Sequence, residues 1–160
     1  MTMPRIFFLG GYDLEMVTIR DLLAEVGAAF HDQRLAWGAR ASAYRDEIEG
    51  ALASGRIPVL IELDHDLDVP ARFYEGEATL ASLPRGTALR VDHHGRRTVT
   101  GTPTSLEQVF RILGLPPERW TRHFELVAAN DRGHVRAMLA LNPPATPGEL
   151  RSVREADRRA

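Results

Sequence analysis

The fold of this chain is decided by the segment Ile57-Pro58-Val59-Leu60-Ile61-Glu62-Leu63. Apart from Glu62 the segment is apolar, which is typical of a strand in a parallel sheet that is covered on both faces. Asp64 ends the run. Because a strand buried on both sides needs helices above and below its sheet, the segment predicts an α/β fold.

Strand and helix patterns alternate on both sides of this segment. Arg5–Leu9 is a short apolar run closed by Gly10-Gly11, and residues 89–91 indicate another buried strand. Apolar side chains recur at helical spacing over 13–26, 42–53, 105–113, 118–129, 135–141 and 147–159. A further short strand is predicted between the first two of these ranges. The alternation predicts a three-layer, mostly parallel sheet flanked by helices, with a helical C-terminal third, in a single domain over residues 1–160.

The composition excludes several classes of protein. The chain has 160 residues, a formal charge of −2, no lysine and no cysteine. Without a basic track, a long nucleic acid is not expected as a partner, and without cysteine any metal must be held by oxygen and imidazole. No apolar stretch approaches the roughly 20 residues of a membrane span and no signal-peptide pattern precedes the first strand, so the expected location is the cytoplasm.

Acidic and histidine side chains stand where the predicted strands end. In open α/β sheets, ligands bind beyond the carboxyl ends of the strands, because the loops there converge. A concentration of carboxylates at that edge is unfavourable unless a cation or a proton offsets the repulsion, so the pattern predicts a metal site. The residues in these positions are Asp13, Glu15, Glu62, Asp64, Asp92, His93 and His94.

Simpler interpretations exist for several of these residues. Asp13 is also a helix N-cap candidate, and Glu15 would suit the first turn of the same helix. The segment 65–68 is most simply a solvated acidic loop. Glu62 differs from these, since an apolar strand should not bury a carboxylate without a partner.

The segment Leu89-Arg90-Val91-Asp92-His93-His94-Gly95 resembles the signature of the DHH phosphoesterase superfamily. Members of that family carry an Asp-x-Asp after the first strand, an acid at the end of a middle strand, then the Asp-His-His, and a further Asp after a later helix. This chain has the same order of motifs, which spans about residues 5–135, in Asp13-x-Glu15, Glu62 or Asp64, Asp92-His93-His94 and Asp131.

The resemblance implies one or two divalent ions, Mn²⁺ first and Mg²⁺ as the alternative. One ion would take Glu15, the shared acid at Glu62 or Asp64, His93 and Asp131. The other would take Asp13, the shared acid and a histidine four residues before Asp13, where this chain has Leu9. His31 or His65 is left as the substitute for that missing ligand.

The resemblance also implies an activity, namely hydrolysis of a small phosphorylated or nucleotide substrate as a phosphoesterase or pyrophosphohydrolase. His94 would contact the phosphate or the leaving group, and Asp92 would orient His93. Arg40, Arg96 and Arg97 are the candidate phosphate contacts.

Other interpretations stay open. The separate C-terminal substrate domain of the family has no counterpart in the sequence, so the substrate itself does not follow from the resemblance. The alternatives are a single-metal enzyme acting on a non-phosphate substrate, and a non-catalytic binding or interaction module of the same fold. A homo-oligomer is left open.

Overall fold

The strands form one twisted parallel sheet at the centre of the molecule. The computed structural model describes residues 3–94 and 101–160. Its strand order is β2-β1-β3-β5-β4, and each of the four pairings is parallel, which confirms the predicted sheet. The strands are β1 Arg5–Leu9, β2 Ala29–Asp32, β3 Ile57–Ile61, β4 Ala71–Phe73 and β5 Ala88–Val91.

Four of the helices named below begin at a residue whose side chain caps them. The Asp13 carboxylate accepts a hydrogen bond from the Met16 amide at the start of α1, and Thr104 forms a reciprocal capping box with Glu107 at the start of α4. The predicted helical C-terminal third is confirmed as α4, α5 and α6. The helices are α1 Leu14–Glu25, α2 Arg45–Ala53, α3 Glu77–Ser82, α4 Ser105–Ile112, α5 Arg122–Leu139 and α6 Pro147–Arg159.

The core lies on both faces of the sheet. Alternate residues of β3 pack to opposite sides, with Val59 and Ile61 in the larger core beside α1, α4 and α5 and Leu60 in the smaller core beside α2. Every residue of β3 is buried. This is the two-sided burial that the apolar run predicts, and it gives the three-layer arrangement.

Two elements differ from the sequence-based expectation. The prediction did not include β4 and α3, which together occupy much of the stretch between β3 and β5. The two helices predicted over 118–129 and 135–141 correspond to the two parts of α5, which begins at Arg122 and is interrupted by non-helical backbone at Gly133 and His134. Within residues 3–94 and 101–160, no helix combines the length and the apolar character that a membrane crossing requires.

Candidate metal centre

Four donor side chains converge at the carboxyl edge of the sheet. One ligand atom from each of Glu15, Glu62, His93 and His94 lies within 4.8 Å of the others, so these residues could hold a metal ion. Glu15 belongs to the first turn of α1, Glu62 directly follows β3, and the histidines follow β5. Because β1, β3 and β5 are neighbours in the sheet, their carboxyl ends bring the donors together.

A fifth side chain, which is the third acidic one, reaches the same place from the helical layer. Asp131 of α5 has its Oδ2 atom 2.6 Å from His93 Nε2 and 3.9 Å from His94 Nε2. The His93 Nε2 atom also lies 3.5 Å from Glu15 Oε1 and 3.4 Å from Glu62 Oε1. We call Glu15, Glu62, His93, His94 and Asp131 together the metal centre.

Helix α4 holds two of the carboxylates from outside the metal centre. The backbone amide of Leu106 donates to Glu15 Oε2 at 3.2 Å, and Ser105 Oγ donates to Glu62 Oε1 at 2.9 Å. The inner oxygens Glu15 Oε1 and Asp131 Oδ2 are buried and face His93 Nε2, at 3.5 Å and 2.6 Å. The Glu15 carboxylate is thus fixed through one oxygen by the Leu106 amide while the other faces the histidine, which is the arrangement expected of a metal ligand.

Backbone geometry at the end of β3 turns Glu62 into this position. Glu62 has a φ of 52°, in the left-handed region that a residue with a Cβ atom rarely adopts. A Cβ atom at Gly10 would lie 2.6 Å from the Glu62 carbonyl oxygen, so only glycine lets the end of β1 pass this close. Disfavoured backbone of this kind is typical of functional sites.

The pKa values of the acids reflect their burial and their neighbours. Burial raises the pKa of Asp13 to about 6 in spite of the hydrogen bond from the Met16 amide. Burial likewise raises the pKa of Glu15 well above its ordinary value. For Glu62 the burial acts in the same direction, but hydrogen bonds with His93 and His94 outweigh it and lower its pKa to about 2.

The pKa values of both histidines are raised. Burial alone would lower the pKa of His93, but the facing carboxylates of Asp131, Glu15 and Glu62 raise it to about 12. The hydrogen bond with Glu62 raises the pKa of His94. Without a metal, protons on the imidazoles therefore balance the charge of the carboxylates, and a bound cation would take over that role.

Comparisons with models of protein families, with curated proteins and with solved structures found no match for this chain.

The structure chooses between the two candidates for the shared acid. Glu62 is buried in the metal centre, whereas Asp64 is exposed and lies outside the group of donors. The backbone of Asp64 pairs with the neighbouring loop, its amide donating to Ala39 and its carbonyl accepting from Ala41. Of the two candidates, Glu62 is therefore the one placed where it could hold a metal ion.

Asp13 and Asp92 lie beside the metal centre and support it. Asp13 caps α1 and is not one of the four converging donors, although the charges of Glu62 and Asp131 contribute to its raised pKa. Asp92 accepts a hydrogen bond from the backbone amide of His94 at 2.9 Å. This contact fixes the backbone of the second histidine. The predicted role of Asp92 at the ring of His93 stays a prediction.

The candidate replacements for the missing histidine have other partners. Leu9 is fully buried in the apolar core. The His31 ring stacks on Phe8 with 5.2 Å between centroids, and His65 Nε2 lies 2.6 Å from the carbonyl oxygen of Val69. Among the described residues, neither histidine belongs to the group of converging donors.

The predicted phosphate contacts remain predictions. Arg40 is exposed and its backbone bridges to Asp64, while Arg96 and Arg97 lie outside the described residues.

Sequence reasoning missed the support that α4 gives to the carboxylates. The Thr-x-x-Glu pattern of Thr104 and Glu107 could have revealed this support, because it marks the start of a helix. The first backbone amides of a helix, here including that of Leu106, have no partner within the helix and can donate to a carboxylate. Sequence reasoning also treated His94 as a catalytic side chain only, whereas the structure brings its Nε2 atom among the four donors.

Proposed function

We propose that this protein is a metal-dependent hydrolase that acts on small phosphoesters or pyrophosphates, including nucleotides. The observation that carries the proposal is the convergence of Glu15, Glu62, His93 and His94 at the carboxyl edge of a parallel sheet. The order of these residues along the chain supports it, since it resembles that of the DHH phosphoesterases.

The donor set fits a divalent ion with mixed oxygen and nitrogen ligands. Carboxylate oxygens suit Mg²⁺ and Mn²⁺ alike, but an imidazole ligand favours Mn²⁺ over Mg²⁺. The inner oxygens of Glu15 and Asp131, which are buried and face His93, support a cation at this place. Mn²⁺ is therefore the proposed ion, held by Glu15, Glu62, His93 and Asp131.

The reaction needs charge neutralisation and a proton donor. When bound, the ion would supply Lewis acidity, lowering the pKa of water and neutralising charge on phosphate oxygens. His94 is the more accessible histidine, with 33% of its side chain exposed against 8% for His93. Because Glu62 raises the pKa of His94, we assign His94 to the phosphate or the leaving group, where a protonated ring would donate from Nε2.

The proposed substrates are small. The net charge of −2 and the absence of lysine give no track for a long polyanion. Arg40, Arg96 and Arg97 are the proposed contacts for the phosphate groups of a compact substrate.

The test is phosphate or nucleotide release from a panel of small phosphoesters and phosphoanhydrides, measured with and without Mn²⁺. We expect Mn²⁺-dependent turnover that His93→Gln abolishes. His123→Gln is the matched control, because His123 is exposed on α5 and should be dispensable. A metal-loaded protein that is inert toward the whole panel would refute the proposal.

A second candidate is a hydrolase with a single ion and a non-phosphate substrate. It is favoured by Leu9, which is buried in the apolar core where the resembling family has a ligand for a second ion. Metal analysis of the dialysed protein separates the candidates, because two ions support the phosphoesterase and one supports the second candidate. A protein that binds no ion would instead be a non-catalytic module of this fold.

A further inference from the structure

A hydrogen-bonded network joins α5 to α6 directly beside Asp131. The Nη1 atom of Arg154 lies 2.9 Å from Asn130 Oδ1, 2.8 Å from His134 Nδ1 and 3.2 Å from Asp157 Oδ2. The Asn130 amide closes the network by donating to Asp157 Oδ2 at 3.1 Å. One guanidinium group thus contacts α5 both before and after Asp131.

Both contacted positions on α5 depend on this network. Asn130 is 3% exposed, and a buried amide that loses its partners is unfavourable. His134 has a φ of 52° and follows the non-helical Gly133, so the helix is broken just after Asp131. A histidine in this backbone region needs stabilising contacts from its surroundings, and Arg154 supplies one.

Asp131 meets the other members of the metal centre from a different layer of the fold. Its Oδ2 atom faces His93 Nε2 at 2.6 Å. The other members of the metal centre stand at strand ends or in the first turn of α1, whereas Asp131 comes from a helix that lies outside the sheet. Its position relative to the histidines is therefore set by the backbone of α5 on either side of it.

We infer that Arg154 is a positioning residue for the metal centre, acting through Asn130 and His134 to hold Asp131 against His93. The inference rests on the proposed metal site and adds to it a contribution from α6. In metal sites generally, removing a group that orients a ligand changes the metal affinity by roughly 10–100-fold.

The competing explanation is that Arg154 merely helps α6 to pack. Val153 of α6 is buried in the core, so a change at the neighbouring position could weaken the fold in a general way. A packing role would lower metal affinity whether or not Asp131 is present. A positioning role would lower it only when Asp131 is there to be positioned.

A double-mutant cycle in Mn²⁺ affinity separates these explanations. Calorimetric titration is performed on the metal-stripped wild type, Arg154→Met, Asp131→Asn and the double variant, after circular dichroism has shown that each is folded. We expect Arg154→Met to weaken binding by about 10–100-fold. In the Asp131→Asn background the same change should weaken it less than about twofold.

Arg151→Met is the matched control, since Arg151 is exposed on the same helix and should leave the affinity unchanged. If Arg154→Met fails to fold, Arg154→Lys carries the same cycle, because lysine keeps the charge but its nitrogen stands one bond closer to the backbone than Nη1 and does not overlay it.

The possible failures are distinct. A wild type that binds no Mn²⁺ refutes the proposed metal site and the inference with it. A wild type that binds Mn²⁺ while Arg154→Met binds equally well leaves the proposed function intact and overturns the inference. Equal losses from Arg154→Met in both backgrounds would assign Arg154 to packing and would also overturn it.

Discussion

Two regions rich in acids and histidines lie next to each other in this chain, and they differ in almost every physical property. The metal centre contains buried Glu62, while the segment 64–68, which we call the acidic loop, begins two residues later. Asp64, Asp66 and Asp68 of the acidic loop are all exposed. From composition alone, the acidic loop is the better candidate for a cation site.

Hydrogen bonding separates the two regions. In the acidic loop, Asp66 accepts a hydrogen bond from the Ser42 amide at 2.8 Å, and His65 is paired with the carbonyl of Val69. In the metal centre, Glu15 and Asp131 each direct a buried oxygen at His93. The two regions therefore differ in burial and in hydrogen-bond partners although both are rich in acids.

The largest expected effect is the loss of metal affinity in Glu62→Gln. The substitution keeps the size of the side chain but removes the charge from the metal centre, so Mn²⁺ binding should weaken by more than about 100-fold. Asp64→Asn makes the same chemical change in the acidic loop and should leave the affinity unchanged. Calorimetric titration measures the Mn²⁺ affinity of both variants. A loss of affinity in Asp64→Asn but not in Glu62→Gln would show that Asp64 is the ligand.

The pH dependence of metal binding gives the next largest effect. Without metal, Asp131, Glu15 and Glu62 raise the pKa of His93 to about 12 in spite of its burial, so the ring carries a proton at neutral pH. Because a metal ligand must be deprotonated, Mn²⁺ has to displace that proton. Affinity should then rise with pH, by about tenfold per pH unit for each proton released.

Titrations in buffers of different protonation enthalpy count the released protons. Asp66→Asn is the control, since the pKa of Asp66 is lowered by its hydrogen bonds with Ser42 and its carboxylate carries no proton at neutral pH. Binding without proton release would show that the histidines are not ligands.

Two Asp→Asn substitutions should change the stability of the metal-free protein in opposite directions. Burial raises the pKa of Asp13 from 3.8 to about 6, so its ionised form is less stable in the folded protein than in the unfolded chain. This penalty is present at neutral pH and disappears as the pH falls below 3.8. Asparagine keeps the N-cap, so Asp13→Asn should add about 1–2 kcal/mol to the free energy of unfolding at neutral pH.

For Asp66 the sign is reversed, because hydrogen bonds with Ser42 lower its pKa and stabilise the ionised form. Asp66→Asn should therefore destabilise the protein slightly at neutral pH. Urea unfolding in the presence of a chelator measures the free energy of unfolding of both variants. Changes of the same sign and size would contradict the expected difference between the two regions.

The smallest expected effect comes from His65→Gln in the acidic loop. Loss of the contact with the Val69 carbonyl should lower the free energy of unfolding by about 1 kcal/mol. Metal stoichiometry and affinity should not change. A lost second ion in this variant would mean that His65 replaces the ligand missing at Leu9.

The parts of the fold that the sequence predicts well are those buried on both sides. The central strand β3 has no polar residue, so its apolar run is unambiguous. The edge strand β4 has three residues, one of them the exposed Arg72, and α3 contains no buried residue. Neither element carries enough periodic burial to produce a hydrophobic pattern, which is why both were missed.

The same reasoning applies to the site. Glu15, Glu62 and His93 could be grouped because each follows a central strand, and the carboxyl ends of parallel strands meet at one edge. The approach of Asp131 depends on how α5 crosses the sheet, which no local spacing encodes, and only the family resemblance suggested it. The contacts of Arg154 depend on the packing of two helices, and in the sequence this residue looks like any other surface arginine.

The donors of the metal centre come from four separate stretches of the chain, around Glu15, Glu62, His93 and Asp131. An unfolded polypeptide cannot gather ligands so widely dispersed, so the ion would associate with the folded molecule alone. Free metal at 100 times its dissociation constant would then add about 2.7 kcal/mol to the free energy of unfolding. The lifetime of the protein in a cell would follow the local supply of the ion, and metal starvation would expose the chain to proteolysis.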